Sequence, residues 1–280
     1  MEKFFFYKMS GCGNDFIIID NRNSIVPENN LSEFARKLCF RRMSVGADGL
    51  VLIENTSRAD FKWQFYNSDG SLAEMCGNAA RCAARFAYIN KIADSQMSFE
   101  TQAGIIFAQI MEQENVKIKI TDPKDIKDKD IIKVNNSPVE FISLNTGVPH
   151  VVIETSDIKA VDLIKMGKDI RFHEKFAPAG TNVNFISRKS DNIISIRTYE
   201  RGVENETLAC GTGCVASALA AAKEYNVPSP IQCLTKSGNY LTIYYSKSRS
   251  DNQDTFYNVF LQGDARIIYK GELNKDAWNW

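Results

Sequence analysis

A Cys-Gly pair heading an alanine-rich run occurs twice, as "EMCGNAARCAARFAYINK" from residue 74 and "LACGTGCVASALAAAKEYN" from residue 208. The two cysteines, Cys76 and Cys210, stand 134 residues apart, and the same offset brings further segments into register. "GNDFIII" (13–19) falls on "GVPHVVI" (147–153), "GADGLVL" (46–52) on "GTNVNFI" (180–186) and "FYNSDG" (65–70) on "YERGVE" (199–204). Thr101 and Gly104 of "TQAG" fall on Thr235 and Gly238 of "TKSG". A chain that repeats itself at one period folds as repeated structural units. Two similar domains are therefore expected. The first, residues 1–122, closes at the charged segment "TDPKDIKDKD" that carries Pro123, and the second runs over 123–264. Residues 265–280 are expected to form a last strand that returns to the first domain.

Each copy reads mostly as strand. In the first, "FFFYKM", "DFIIID", "GLVLIE", "FKWQFYN", "IIFAQIM" and "VKIKI" are apolar or alternating runs of strand length. Two segments read as helix. "ENNLSEFARKLCF" places Leu31, Phe34 and Leu38 at helical spacing behind an asparagine cap, and the second begins at the Cys-Gly pair, where alanine density favours helix. A strand-rich α+β unit with one central helix, made twice, is the expected architecture.

Composition narrows the function classes. Lys+Arg and Asp+Glu balance at 34 each, so no global field draws the chain to nucleic acid or anionic lipid. The longest apolar runs are far short of a membrane span, and the N-terminus has neither a long apolar core nor a small-residue cleavage site. A cytoplasmic protein is the expectation. Seven cysteines, an odd number, argue against a disulfide framework. The spacings Cys76-x5-Cys82 and Cys210-x3-Cys214, with only His150 and His173 to help, do not fit structural zinc.

The thiols remain to be explained. Cys39, Cys82, Cys214 and Cys233 read as small apolar packing. Cys76 and Cys210 differ, because each stands where a helix begins. Unpaired N–H groups and the helix dipole favour negative charge there, and they can lower a thiol pKa from about 8.5 into the range of roughly 3.5–7.5. The following glycine lets a carboxylate approach the backbone. Two-fold pseudo-symmetry would set two such half-sites face to face across a cleft. One thiolate could then remove a proton from the carbon beside a bound carboxylate while the opposite thiol returns one to the other face. That inverts a stereocentre without a cofactor. No Walker A loop is present and no lysine stands out as a pyridoxal phosphate anchor. The N–H donors at both helix starts would have to stabilise the extra charge of the transition state.

"KMSGCGNDF", "NSDGSLAEMCGNAARC", "GVPH" and "YERGVENETLACGTG" together resemble the diaminopimelate epimerase family over most of the chain. The resemblance implies a pyridoxal-phosphate-independent, two-base isomerase that interconverts LL- and meso-diaminopimelate for lysine and peptidoglycan precursor synthesis, with no cofactor and no metal. It also implies two pseudo-symmetric domains, each a β-barrel-like antiparallel sheet around a central helix, and a homodimer with Tyr269 at its contact. Matched by motif, Cys76 and Cys210 are the acid/base pair, and His150 and Glu200 tune and position the thiols. Gly77, Asn78, Gly211 and Thr212 match the cradle of the reacting carboxylate. Asn14, Asn67, Asn182 and Arg201 match substrate-holding groups, the last three towards its distal end. For Arg201 the chemistry agrees, since a guanidinium pairs bidentately with a carboxylate. Asn14, Asn67 and Asn182 are also natural turn residues. Some members carry asparagine before the Pro-His and glutamine after the Gly-x-Asp of the first copy, where this chain has Val148 and Gly49. Two other readings fit the motifs: a related racemase of the proline racemase type, and a non-catalytic binding relative.

Overall fold

"FIII" and "GLVLI" have no polar face, which suits a strand covered on both sides of its sheet. The computed structural model describes residues 4–26, 30–250 and 253–280. In it these segments lie in the strands Asn14–Asp20 and Gly49–Glu54, which run parallel with Phe16 opposite Gly49 and Ile19 opposite Leu52. One face, bearing Ile17, Ile19, Leu50 and Leu52, packs with Phe34, Ala35 and Leu38 of helix α1 (Leu31–Cys39). The alternate residues turn to the other side of the sheet, where helix α2 (Gly77–Ile89) packs on the same strands. Helix α1 is capped by Asn30, whose side chain accepts from the Glu33 N–H at 3.2 Å. Glu28 and Asn29 of the segment read as helical lie outside the described residues.

The chain forms two compact units, Met1–Ile118 with Gly263–Trp280, and Lys119–Gln262. In the first, Arg266–Leu273 pairs antiparallel with Phe4–Gly11. The sheet continues through Asn14–Asp20, Gly49–Glu54, Phe61–Asn67, Gln96–Thr101, Gly104–Ile110 and Asn115–Lys119. The Ala265 N–H donates to the Glu114 carbonyl at 2.9 Å and ties the two ends of this run together. In the second unit the order is Asp130–Val134, Ser137–Asn145, Pro149–Glu154, Asn182–Ser190, Ile193–Glu200, Ile231–Leu234, Tyr240–Ser250 and Gln253–Asp264, with Asn205–Glu206 beside Ile193–Glu200.

From Phe4–Gly11 onward the joins run antiparallel, parallel, antiparallel, parallel, antiparallel, antiparallel. From Ser137–Asn145 onward they run in the same order. The duplication is thus written in the topology. The expected antiparallel sheet is corrected to a mixed one, and the helices explain why. Parallel neighbours need a crossover, and each of the four parallel joins carries one helix: α1, α2, α3 (Leu163–Arg171) and α4 (Gly211–Tyr225).

The register corrects the single offset. Phe16 pairs with Gly49 while His150 pairs with Asn182, so the second strand of the repeat is shifted by 133 rather than 134. The pairs Leu50–Tyr66 and Val183–Tyr199 carry the same shift to the third strand, and Lys62–Glu100 against Ser195–Leu234 restores 134 at the fourth. The second copy is thus one residue shorter between its first two of these strands and one residue longer between the third and the fourth.

Helix α2 packs on strands of the first unit, and α4 on strands from Ser137–Asn145 round to Tyr240–Ser250 of the second. Every residue of α4 from Gly213 to Ala222 is buried. Alanine at these positions lets surrounding strands approach, and a helix apolar on all sides is a core helix. Helix α3 had no counterpart in the sequence reading. Asp162 caps it by accepting from the Lys165 N–H, and Leu163, Gly167 and Ile170 are buried. Gly167 obscures its pattern, and a Cβ there would lie 2.5 Å from Tyr199 Cβ. Among the described residues, no helix is long and apolar enough to cross a membrane.

Candidate active site

In the first unit, Cys76 is the N-cap of α2, extended at φ −144° and ψ 120°, with its carbonyl accepting the Ala80 N–H at 2.9 Å. Its side chain makes no capping bond and is partly exposed. Gly77 and Asn78 are the first helical residues, so their N–H groups have no partner within the helix. The Asn78 side chain donates to Asn14 Oδ1 at 2.6 Å, and Asn14 in turn donates to Asp48 Oδ2 at 3.0 Å. Arg81, fully buried, donates to Asn78 Oδ1 at 2.7 Å and to the Gly77 carbonyl at 3.3 Å. It adds positive charge behind a helix start that already favours an anion. Asn67 ends the strand Phe61–Asn67 and lies opposite Gly49; its amide donates to Ser71 Oγ at 3.0 Å inside the Asn-Ser-Asp-Gly turn. Cys12 is buried, and its N–H and thiol both donate to Asp264 Oδ1, at 2.8 and 3.0 Å.

In the second unit, Cys210 is the N-cap of α4 at φ −113° and ψ 110°. Its sulfur accepts the Gly213 N–H at 3.4 Å and lies 3.5 Å from the Thr212 hydroxyl. Gly211 and Thr212 open the helix, and the Thr212 carbonyl accepts from Thr146 Oγ1 at 3.2 Å. The Glu200 carboxylate, near enough to act on the Cys210 thiol through its charge, accepts from the Thr207 hydroxyl at 2.8 Å. Burial holds the Glu200 carboxyl above its usual range, against the bond from Thr207.

The thiol is pushed well above its ordinary value by burial and then by the Glu200 charge; the bonds from Thr212 and Gly213 oppose this and lose. The lowering that a helix start can bring to a thiol is thus outweighed at Cys210. Two helical N–H contacts do not offset full burial beside a carboxylate. The arrangement keeps a proton on the Glu200–Cys210 pair.

His150 and Asn182 face each other across the parallel ladder, and Arg201 follows the strand Ile193–Glu200. His150 is buried, and its pKa is pushed down to about 3, first by burial and then by the Arg201 charge, so the ring is neutral. Asn182 is committed to backbone: it donates to the Pro149 carbonyl at 3.0 Å and accepts the Arg201 N–H at 2.9 Å. The Arg201 guanidinium donates to the Ala179 carbonyl at 3.3 Å, and among the described residues no carboxylate pairs with it. Asp48, Arg81, Thr146, Thr207 and Asp264 of these networks escaped the sequence reading, and so did Asn184, whose amide nitrogen lies 3.1 Å from His150 Nδ1. Asn184 lies two residues beyond Asn182 on the same strand face, a spacing that marks it.

The sequence model described as diaminopimelate epimerase matches residues 6–126 and 142–266. The diaminopimelate epimerase of Aquifex aeolicus is 45% identical over 282 residues, covering 97% of this chain and 98% of that protein. The chain belongs to the diaminopimelate epimerase family.

It is accordingly an isomerase. Two solved structures share the fold. A Bacillus anthracis phenazine biosynthesis protein of the PhzF family superposes with a TM-score of 0.75 at 15% identity, covering 98% of this chain and all of that one. A probable proline racemase from Agrobacterium radiobacter K84 gives 0.70 at 13% identity, covering 99% of this chain and 94% of that one. Against this family background, Gly49 has a packing cause. A Cβ there would lie 2.6 Å from Phe65 Cε2 and 2.7 Å from the Tyr66 carbonyl, so no side chain fits unless Phe65 and the backbone at Tyr66 both move.

Proposed function

We propose that this protein interconverts LL- and meso-diaminopimelate by two-base proton transfer at the α-carbon, with Cys76 and Cys210 as the two proton carriers. The observation that carries the reading is the repeated placement of a cysteine as N-cap of the buried central helix, once in each unit. A duplicated proton carrier suits a reaction that takes a proton from one face and returns it to the other. In the arrangement described, Cys210 holds its proton against Glu200 and serves as the acid, while Cys76 serves as the base. For the reverse reaction the roles exchange, and Glu200 takes the Cys210 proton. Gly77, Asn78, Gly211 and Thr212 offer backbone N–H groups to the reacting carboxylate, and Arg201 pairs with the distal one. Membership of the family, with 45% identity to the Aquifex enzyme, supports the substrate.

A proline racemase-type activity fits less well, because a small monocarboxylate leaves Arg201 without a partner. Assay of the purified protein on LL-diaminopimelate and on L-proline, with and without pyridoxal phosphate, decides between them. Turnover of diaminopimelate alone, unaffected by pyridoxal phosphate, is expected, and Arg201→Ala should raise KM far more than it lowers kcat. Turnover of proline alone would overturn the reading. We further place the enzyme in the cytoplasm as a homodimer. Ile268 and Tyr269, exposed on the strand Arg266–Leu273, are the apolar residues that support a dimer.

A further inference from the structure

His150 is 1% exposed, and its Nδ1 lies 3.1 Å from Nδ2 of Asn184, which is itself fully buried. The same amide nitrogen lies 2.9 Å from the Val151 carbonyl, and Asn184 Oδ1 accepts from the Thr198 hydroxyl at 2.9 Å. A carbonyl oxygen only accepts, so the atom facing Val151 must be the amide nitrogen, which fixes the orientation of the amide. Its second hydrogen points to His150 Nδ1. That ring nitrogen must then accept, and the imidazole proton sits on Nε2. Among the described residues, Nε2 has no hydrogen-bond partner although it is buried. A buried donor without a partner is costly, and such groups mark functional sites. Asn184 also reaches the catalytic helix: a Cβ on Gly213 would lie 2.5 Å from Asn184 Oδ1 and 3.2 Å from Cys210 Sγ.

We infer that Asn184 is a positioning residue that locks His150 as its Nε2–H tautomer, so that a neutral N–H donor is presented to the negative charge developing during epimerisation. The inference rests on the epimerase reading for its purpose, but the lock itself is a property of the folded chain. A buried histidine serving only as core packing would need no particular tautomer and would leave no donor unpaired. Asn184 is distinct from Asn182, whose bonds go to backbone alone.

Imidazole nitrogen NMR on the full-length ¹⁵N-labelled protein tests this, with His173→Gln leaving His150 as the single histidine. Protonated Nε2 and bare Nδ1 are expected at pH 7. Asn184→Asp places an acceptor opposite Nδ1, so the proton should move to Nδ1 and kcat on LL-diaminopimelate should fall at least about 100-fold, as a wrong tautomer does in other enzymes. Asn184→Ala removes the amide that holds Nδ1 bare; it serves where Asn184→Asp does not fold, and it should give a mixture of tautomers with a smaller loss of kcat. A wild-type ring protonated on Nδ1 would overturn the inference, as would a variant with the reversed tautomer and unchanged kcat. A protein inactive on diaminopimelate but with Nε2 protonated would overturn the functional reading and leave the lock standing.

Discussion

Glu200 sets its charge against the Cys210 thiol, and burial pushes both groups towards their protonated forms. A thiol at a helix start thus stands as an acid because a carboxylate lies beside it in a dry site. Replacing Glu200 by Gln keeps the shape and the partner for Thr207 but removes the group that takes the thiol proton. We expect kcat to fall by about 10²–10⁴-fold with KM nearly unchanged. Steady-state kinetics on LL-diaminopimelate checks this, and a kcat within twofold of wild type would remove Glu200 from the mechanism.

His150 makes stability depend on pH with a definite sign. Above about pH 6.5 the ring is neutral in folded and unfolded chains alike, so its contribution is complete. Below that, the unfolded chain gains a proton that the folded one refuses until about 3. Stability should therefore drop by about 1.4 kcal/mol for each pH unit on this account. Glu200, shifted upward, runs the other way, but it is common to wild type and a His150→Gln variant and cancels in their difference. Urea unfolding between pH 7 and pH 4 should show a shallower fall for the variant; parallel curves would contradict it.

Gly213 separates helix propensity from packing. Alanine there gains roughly 1 kcal/mol of propensity. Its Cβ, however, would lie 2.5 Å from Asn184 Oδ1 and 3.2 Å from both Cβ and Sγ of Cys210. Overpacking of this kind costs about 1–3 kcal/mol, so the clash should win. Gly213→Ala is expected to lower stability and activity together. Gly211→Ala, which meets only the flexible Leu261 side chain at 3.1 Å, should be mild by comparison in the same thermal melts.

The repeat, the strands and the two cysteine-headed helices were legible because periodicity and alanine density are local signals. The parallel joins were not, since pairing direction depends on which segments meet after a crossover. Helix α3 was hidden by Gly167, a glycine there for close approach to Tyr199 rather than as a breaker. At the site, Cys76 and Cys210 stood out by position. Arg81 and Asn184 did not, because their importance lies in partners distant in sequence: Arg81 donates to the Asp264 carbonyl, and Asn184 bonds to His150. The raised thiol pKa of Cys210 was also beyond reach, since it depends on depth of burial and on Glu200.

The two-carrier mechanism is tested most directly by epimerisation of LL-diaminopimelate in deuterium oxide with wild type, Cys76→Ala and Cys210→Ala. Wild type should form meso product carrying α-deuterium from the first turnovers, while the remaining substrate stays largely unlabelled. Each single variant should lose inversion entirely. Inversion at an undiminished rate in either variant would contradict the assignment of Cys76 and Cys210 as the two carriers.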